Sequence, residues 1–336
     1  MLTLQCRRGQ SESALATTLG YYQPSVPPPD ARPGVWAGTA AALLGLSGPV
    51  ASMELRRTLM GHDPRSDIPL VHRSGVDRRY AWDLTFSAPK AISLLWAAAR
   101  PEVRLGIERA HVTAIVALLA SLETTYVLGR RGRNGTQKEP VRLLFAVFPH
   151  FVSREGDPQI HSHVLLMNLA CYPDHRWGGL DPKILYRDQL ALGGRYRQNL
   201  ARQLEIQGFP LDVTEGTIRV PGISPEVEAA FSRRHRQIVE KKKTLGVTGG
   251  RASVVASLST RRDKFWHSLA EVEAEWRERL EALGVTSEFV EDLRMTTRER
   301  DVPATDRSPP VSSAESPSRV PGWGQGKLSI LNRAGP

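Results

Sequence analysis

Three histidines in a short stretch have the spacing of metal ligands. His161 and His163 are separated by one residue, so on a strand both side chains project from one face, about 7 Å apart. His150 precedes them across Gly156-Asp157-Pro158, a turn signal that predicts antiparallel pairing of the two flanking strands. Three neutral imidazoles without a thiolate leave coordination positions open, which is typical of a catalytic metal site. The alternative is three unrelated histidines on one sheet.

A carboxylate that could support this site lies in the segment Asp83-Leu-Thr-Phe-Ser-Ala-Pro-Lys90. Strand alternation places Asp83, Thr85 and Ser87 on one face. Asp83 could orient a metal-binding imidazole through its second ring nitrogen, or act as a general base. The alternative is a solvated strand face.

The third chemical group is the pair Tyr21-Tyr22, which follows a predicted helix and precedes a proline-rich loop at residues 24–33. A tyrosine can attack a phosphodiester and form a covalent phosphotyrosine. Its phenol has a reference pKa of about 10, so it needs a base. It also needs an electrophilic phosphorus, which a metal on the non-bridging oxygens supplies. The alternative is ordinary aromatic packing.

The charge balance favours an anionic partner. The 336 residues include 45 basic and 35 acidic side chains, for a net charge of +10, and nucleic acid is the first candidate. Asn134-Gly135 predicts a turn in a basic β-ribbon. Each basic segment could equally be a solvated face. The candidate DNA-binding residues are Lys90, Arg130, Arg131, Arg133, Arg154, Arg233, Arg234, Arg236, Lys241, Lys242 and Lys243.

The elements that must position these residues predict an α+β fold. We expect a central, mainly antiparallel sheet flanked by helices, with a helical C-terminal part. The predicted strands cover residues 1–7, 80–87, 142–148 and 160–169. The predicted helices cover residues 11–19, 36–46, 90–99, 105–122, 188–207, 225–245 and 265–283.

Composition also predicts the domain boundaries and the compartment. We expect one domain over residues 1–295 and a flexible Pro/Ser/Gly-rich tail over residues 296–336. Two cysteines exclude a disulfide framework and fit a reducing cytoplasm. The longest uncharged stretch, residues 33–53, is interrupted by glycine and proline, so we expect no membrane insertion.

At these motifs the sequence resembles the relaxase domain of the MobF family, the conjugative relaxase–helicases that nick plasmid DNA at a transfer origin. The resemblance covers about residues 10–285 and keeps the family's motif order. The matching motifs are the tyrosine pair, Trp36-Ala-Gly with Leu44-Gly-Leu-Ser-Gly48, Asp83 to Lys90, and His150 through His163 to Asn168.

The resemblance implies an HUH-type, palm-like fold and a site- and strand-specific DNA nicking enzyme for conjugative mobilisation. Tyr21 would attack one phosphodiester, become linked to its 5′-phosphate and release a free 3′-OH. His150, His161 and His163 would hold a divalent metal at the scissile phosphate. Asp83 would support a metal-binding histidine or the nucleophile. The implied DNA partner is single-stranded, with an origin hairpin.

Two departures from the family pattern change what is expected. Residues 26–30, where well-known members have a second tyrosine pair, contain no tyrosine, so Tyr22 is the one nearby candidate for a second nucleophile. No G-x-x-x-x-G-K-[ST] phosphate loop occurs. We therefore expect a separate helicase partner, together with conjugation accessory or coupling proteins.

Two other functions stay open. The missing tyrosine pair and helicase motif also fit a catalytically reduced protein that only binds origin DNA. A three-histidine metal hydrolase unrelated to DNA would explain the metal motif but not the tyrosine pair. The identity of the metal is open as well, because imidazole accepts Mn, Co, Ni, Cu and Zn, and Mg less readily.

Overall fold

The fold is organised around a five-stranded antiparallel sheet. A computed structural model describes residues 1–24, 32–132, 135–214, 217–246 and 269–300, without the side chains of residues 269 and 296–300. The strands are β1 (Leu2–Gly9), β2 (Val35–Ala37), β3 (Arg78–Ser87), β4 (Gly129–Arg131), β5 (Gln137–Glu139), β6 (Phe145–Val152), β7 (Pro158–Met167), β8 (Ala170–Cys171), β9 (Trp177–Gly178), β10 (Asp212–Thr214) and β11 (Thr217–Arg219). The helices are α1 (Glu12–Tyr22), α2 (Thr39–Leu43), α3 (Ser52–Met60), α4 (Lys90–Ala98), α5 (Pro101–Thr125), α6 (Lys183–Arg187), α7 (Gln189–Ile206), α8 (Pro225–Ala230), α9 (Arg233–Thr244), α10 (Leu269–Glu281) and α11 (Ser287–Arg300).

The register of the central sheet brings the chemical motifs together. The strand order is β1-β3-β7-β6-β2, and all four pairings are antiparallel. Thr85 of β3 lies opposite His163 of β7, and Ser87 lies opposite His161. His150 of β6 also lies opposite His161. The predicted α+β architecture with an antiparallel sheet is confirmed, and the β6–β7 hairpin carries all three histidines.

Helices cover both faces of the sheet. On one face, α4, α5, α7 and α10 pack over apolar residues of β3, β6 and β7, such as Phe86 and Leu166. On the other face, α1, α2 and α3 pack over Ala146, Leu165 and Met167. Residues alternate along a strand, so Asp83 and His163 belong to the face covered by α1.

Three predicted helices differ from the structure. Residues 36–46 contain strand β2, whose Trp36 pairs with Ala146, followed by the short α2. Gly38 separates the two elements with a φ of +89°, and a Cβ there would lie 2.2 Å from the carbonyl oxygen of Leu143. Residues 225–245 form two helices, α8 and α9, because the fully buried Phe231 lies at the junction between them.

The third difference concerns the tyrosine pair. Helix α1 does not end at residue 19 but runs to Tyr22, so both tyrosines lie in its last turn. The helix has Ser11 as its N-cap, and the Ser11 side chain accepts a hydrogen bond from the backbone N–H of Ala14.

The turn between β6 and β7 is anchored by the C-terminal helices. The Asp157 carboxylate is 1% exposed and accepts hydrogen bonds from the backbone N–H of Arg233 (2.8 Å) and from its Nε (2.7 Å). Arg233 is the first residue of α9, where a carboxylate is favoured by the exposed N–H groups and the helix dipole. Trp276 of α10 donates from Nε1 to the Gly156 carbonyl oxygen at 2.7 Å. The histidine-bearing hairpin is therefore attached to α9 and α10 at its tip.

Helix α11 crosses the predicted domain boundary. It extends to Arg300, past residue 295. The rest of the predicted tail, residues 301–336, and residues 25–31 of the proline-rich loop lie outside the described residues. In the described part of the chain, α5 is the one helix with the length and apolar composition of a membrane span, and half of its apolar window is buried in the protein. Its residues Ile107, Ala114 and Leu118 belong to the core beside the sheet.

The buried His111 of α5 makes stability depend on pH. Burial, with a smaller contribution from the charge of His161, lowers the pKa of His111 from 6.5 to about 3. Between these pH values the unfolded chain binds a proton that the native protein does not, so stability falls as the pH decreases from 6.5. We expect His111 to contribute a loss of about 1.5 kcal/mol in unfolding free energy between pH 6.5 and pH 5.

Urea denaturation at the two pH values measures this loss. His111→Gln removes the titrating group, so its unfolding free energy should fall less over the same interval than that of the wild type. Equal pH dependence in both proteins would show that His111 is not the source.

Candidate active site

The last turn of α1 places Tyr21 over the histidines. The Tyr21 hydroxyl is 3.3 Å from Nε2 of His163, and the two rings meet edge to face with their centres 5.4 Å apart. Tyr21 is half-buried, so its hydroxyl is at the border between the protein interior and solvent. The structure therefore brings together the predicted nucleophile and a predicted metal ligand.

Tyr22 points in a different direction, into the protein. It is 4% exposed, donates from its hydroxyl to Asp83 Oδ2 at 2.7 Å, and accepts from Arg7 Nε at 2.7 Å. Burial, and then the negative charge of Asp83, raise the pKa of Tyr22 far above its ordinary value. A phenol that is buried and keeps its proton in a hydrogen bond is a poor nucleophile.

Asp83 is the centre of the hydrogen bonds around the site. Its carboxylate is 2% exposed and lies 3.0 and 3.1 Å from Nδ1 of His163, and Arg7 Nη2 donates to it at 2.6 Å. Burial opposes ionisation of Asp83, but the His163 and Arg7 partners outweigh it and hold its pKa well below the ordinary range. An ionised Asp83 accepts the Nδ1 proton of His163, which leaves Nε2 as the nitrogen with a free electron pair.

The three histidine rings form a nearly equilateral triangle. Their centres are 5.4 Å apart for His150 and His161, and 5.5 Å for each of these with His163. Nδ1 of His161 is 2.9 Å from the Gln159 carbonyl oxygen, so Nε2 of this ring is also directed away from its own backbone. The register of the hairpin explains the triangle, because His150 and His161 are paired and His163 is two residues further along the same face.

This triangle fits a metal ion held by three imidazoles. Metal–nitrogen bonds of about 2.0–2.1 Å put ring centres roughly 3.2 Å from the ion and, for tetrahedral angles, about 5.3 Å from one another. The observed ring separations match this value. In the described part of the chain, no three donor groups converge on a common point, and the His150 and His161 rings are stacked with 24° between their planes. Three imidazoles would bind one ion only after these rings turned about the soft torsion of their side chains.

The sequence interpretation missed Arg7. Its guanidinium binds both Asp83 and Tyr22 and lies 5.0 Å from the ring centre of Tyr21. Arg7 is on β1 and lies opposite Ala81 of β3, two residue pairs from the pair formed by Gln5 and Asp83. No spacing rule connects residues 7 and 83, so only the strand pairing reveals the contact. Thr85, which alternation had placed on the face of Asp83, donates to the Asp83 carboxylate at 3.2 Å.

Two of the predicted DNA-binding residues are engaged in contacts at the β6–β7 turn. Arg233 pairs with Asp157 and lies 3.2 Å from Glu275, which occupies its guanidinium with carboxylates. Lys90 donates to the Pro158 carbonyl oxygen at 2.8 Å, and burial lowers its pKa to about 8. Both side chains hold the β6–β7 turn in place.

The remaining candidates lie in three places. Strands β4 and β5 form the predicted antiparallel ribbon, in which Arg131 is paired with Glu139 and Asp174, while Arg133 lies outside the described residues. Arg154 is in the β6–β7 turn. The candidates on α9, a helix without any buried side chain, are Arg234, Arg236, Lys241, Lys242 and Lys243.

A basic cavity lies at the other end of β1 and β3. Its volume is about 610 Å³. Arg79 is six residues from Thr85 along β3, which separates the cavity from the histidines by about 20 Å. The lining residues include Arg8, His72, Arg73, Arg78, Arg79, Trp82, Arg130 and Trp177. Of these basic residues the sequence interpretation selects Arg130 alone. The others lie at residues 8, 72–73 and 78–79, short segments that strand pairing and loop packing bring together.

The fold and the site together define an HUH-type relaxase domain, as the motif resemblance implied. A family model described as TrwC relaxase matches residues 5–283, and the chain belongs to this family.

Solved structures and a curated protein agree with this membership. A metal-bound structure of the conjugative relaxase TrwC in complex with oriT DNA is 27% identical, with a TM-score of 0.73, and the match covers 84% of this chain and 99% of that one. TrwC complexed with a 27-mer DNA comprising the recognition hairpin and the cleavage site is 26% identical, with a TM-score of 0.72 and the same coverage. The multifunctional conjugation protein TraI of Escherichia coli K12 is 29% identical over 265 residues. That match covers 74% of this chain but only 14% of TraI.

Removal of the Asp83 charge should weaken metal binding. Asp83→Asn keeps the size of the side chain but no longer fixes the Nδ1 proton of His163, so we expect the dissociation constant for Mn²⁺ or Ni²⁺ to rise about 10–100-fold. Calorimetric titration measures the constant, and circular dichroism checks the fold. Glu12→Gln, which removes an exposed carboxylate paired with Arg56, is the matched control. Unchanged metal affinity in folded Asp83→Asn would contradict this role of the carboxylate.

Proposed function

We propose that this chain nicks one strand of DNA at a transfer origin and remains joined to its 5′-phosphate through Tyr21. The observation that carries the proposal is the position of the Tyr21 hydroxyl, 3.3 Å from Nε2 of His163 at the three-histidine face. The neighbouring phenol of Tyr22 is buried and hydrogen-bonded to Asp83. One tyrosine of the pair therefore has access to a phosphodiester at the histidines, and the other supports the site.

The proposed reaction is a transesterification. A bond forms between Oη of Tyr21 and the phosphorus, and the bond from phosphorus to the 3′ oxygen breaks. Tyr21 loses its phenolic proton, and the leaving oxygen gains one. Because one phosphoester replaces another, the 3′-OH can attack the phosphotyrosine and restore the strand without a further energy source.

His150, His161 and His163 would hold the divalent metal, whose chemistry is to neutralise charge on the scissile phosphate. The chain's own residues prepare the site around them. Asp83 keeps His163 in the tautomer with Nε2 toward Tyr21, and Arg7 balances the buried charge of Asp83. The guanidinium of Arg7 also lies 5.0 Å from the Tyr21 ring centre. Metal-bound TrwC supports a metal requirement in this chain, and the kind of metal is left open.

We further propose that the basic cavity binds the DNA of the transfer origin. Arg8, Arg73 and Arg79 are exposed there. Asp77 also lines the cavity, but none of the three arginines forms an ion pair with a carboxylate in the described part of the chain. Guanidinium groups without carboxylate partners bind phosphates by releasing condensed counterions. The TrwC complexes with oriT DNA and its hairpin support a DNA partner of this kind.

The partners and the compartment are also proposals. A helicase and conjugation accessory or coupling proteins would act with this domain on the origin DNA, and the cytoplasm would be the place of action. The chain spans 14% of TraI, so the activities of that whole protein are not transferred to it.

Substitution of the two tyrosines by phenylalanine should have opposite effects on the formation of the covalent adduct. Tyr21→Phe removes the nucleophilic oxygen, so the detergent-resistant adduct with an origin oligonucleotide should disappear, with metal and DNA affinity retained. Tyr22→Phe removes one hydrogen bond to Asp83 and should still form the adduct, at a rate reduced about tenfold or less. Denaturing gels with labelled oligonucleotide measure both.

Other outcomes of this assay decide among the alternatives. Full adduct yield from Tyr21→Phe would exclude Tyr21 as the nucleophile. A wild type that binds metal and origin strands but forms no adduct would favour a catalytically reduced DNA-binding protein. Metal-dependent ester hydrolysis without salt-sensitive binding of single strands would favour the hydrolase.

The unpaired arginines of the cavity should determine the salt dependence of DNA binding. Arg73→Gln and Arg79→Gln should each reduce the slope of log affinity against log salt by about one unit. Arg131→Gln is the control, because the Arg131 guanidinium is already paired with Glu139 and Asp174. Fluorescence anisotropy with an origin hairpin measures the slopes. Equal slopes in all three variants and the wild type would place the DNA elsewhere.

A further inference from the structure

Strand β7 has a polar residue on the face opposite its histidines. Ser162 lies between His161 and His163 in sequence, so its side chain points to the helices on the reverse face of the sheet. Its exposure is 0%, and its neighbours on that face include Val164, Leu166 and Phe86. A hydroxyl in such an apolar layer needs a hydrogen-bond partner.

The partner belongs to a chain of buried polar groups that connects three elements. Ser162 Oγ is 2.9 Å from Nε2 of His111 on α5, and Nδ1 of His111 is 2.7 Å from the hydroxyl of Tyr196 on α7. His111 is 1% exposed and Tyr196 is 0% exposed. Both imidazole nitrogens of His111 therefore have a hydrogen-bond partner, and the hydroxyl groups of Ser162 and Tyr196 have one as well.

A second contact fixes the strand on the other side of His161. The backbone N–H of Ile160 donates to Ser93 Oγ of α4 at 3.0 Å. This contact lies just beyond the end of β3 at Ser87. Ile160 and Ser162 are the two sequence neighbours of His161. The helical layer thus binds β7 immediately before and immediately after this histidine.

We propose that Ser162, His111 and Tyr196 are positioning residues for the metal-binding histidines. The network fixes the rotation and register of β7, so that both histidine side chains face Tyr21 and Asp83. A shift of one residue would turn His161 and His163 into the apolar layer and leave His111 without its hydroxyl partner, which makes the alternative register unfavourable. This role rests on the proposed metal site, and no residue of the network touches the DNA or the metal in it.

An isosteric pair of substitutions tests the network. Ser162→Thr keeps the hydroxyl, and Ser162→Val replaces it with a methyl group of similar size. For the full chain titrated with Mn²⁺ or Ni²⁺ in a calorimeter, we expect the Thr variant to bind within twofold of the wild type. The Val variant should bind at least tenfold more weakly. Tyr196→Phe, which removes only the distal hydroxyl, should weaken binding by a smaller factor.

A control separates positioning from general destabilisation. Leu200→Ala on α7 removes buried apolar contacts outside the network, so it should lower the melting temperature while leaving metal affinity within twofold of the wild type. Equal metal affinity in the Val and Thr variants would overturn the proposal, as would a loss in Leu200→Ala as large as that in the Val variant. If the Val variant does not fold, Tyr196→Phe and Ser162→Thr provide the comparison.

A readout without metal distinguishes this proposal from the proposed function. The ring nitrogen NMR signals of His161 and His163 report their tautomers and hydrogen bonds in the metal-free protein. They should shift in the Val variant and stay near the wild type in the Thr variant. A wild type that binds no metal would refute the metal site of the proposed function, and the ring signals would then decide the role of the network. Identical ring signals in both variants would overturn it.

Discussion

The site depends on one buried carboxylate. Asp83 is almost without solvent contact, and its charge is stable there because His163, Arg7 and Tyr22 all direct hydrogen atoms toward it. A carboxylate buried without such partners would be strongly unfavourable. The same contacts have functional consequences, since they determine the tautomer of His163 and keep the Tyr22 phenol protonated. Stability and reactivity at this site therefore have a common electrostatic origin, and Tyr21 is left as the tyrosine that faces the histidines.

The histidine-bearing hairpin is held from both faces and from its tip. Asp83 acts on the face of the histidines, and the network of Ser162 acts on the reverse face. At the tip, Asp157 is joined to Arg233 and Gly156 to Trp276. A metal site requires its ligands to be held to within about half an ångström. The five-stranded sheet holds the hairpin through β3 and β2, and helices from distant parts of the sequence add contacts on the reverse face and at the tip.

The basic side chains of this protein differ in whether carboxylates are paired with them. Arg233 and Arg131 were selected because they lie in dense basic segments, yet each is paired with carboxylates in the folded protein. Arg73 and Arg79 lie in less conspicuous segments, and their position beside the cavity makes them the stronger candidates for phosphate contacts. Local charge density in the sequence therefore does not show which basic side chains are paired with carboxylates in the folded protein.

The sequence by itself determined the histidine triad, the carboxylate strand, the antiparallel α+β class and the family, because alternation along strands and motif order are local properties. The sequence could not show which of Tyr21 and Tyr22 faces the histidines, since the two residues are adjacent and chemically identical. Their difference arises from the direction of each ring at the end of α1, over a strand that is about sixty residues away in sequence. Arg7 and the basic cavity were equally inaccessible to sequence reasoning, because strand pairing and loop packing bring their residues together. Only the tertiary structure decides contacts of this kind, for the physical reason that burial and charge pairing depend on neighbours in space.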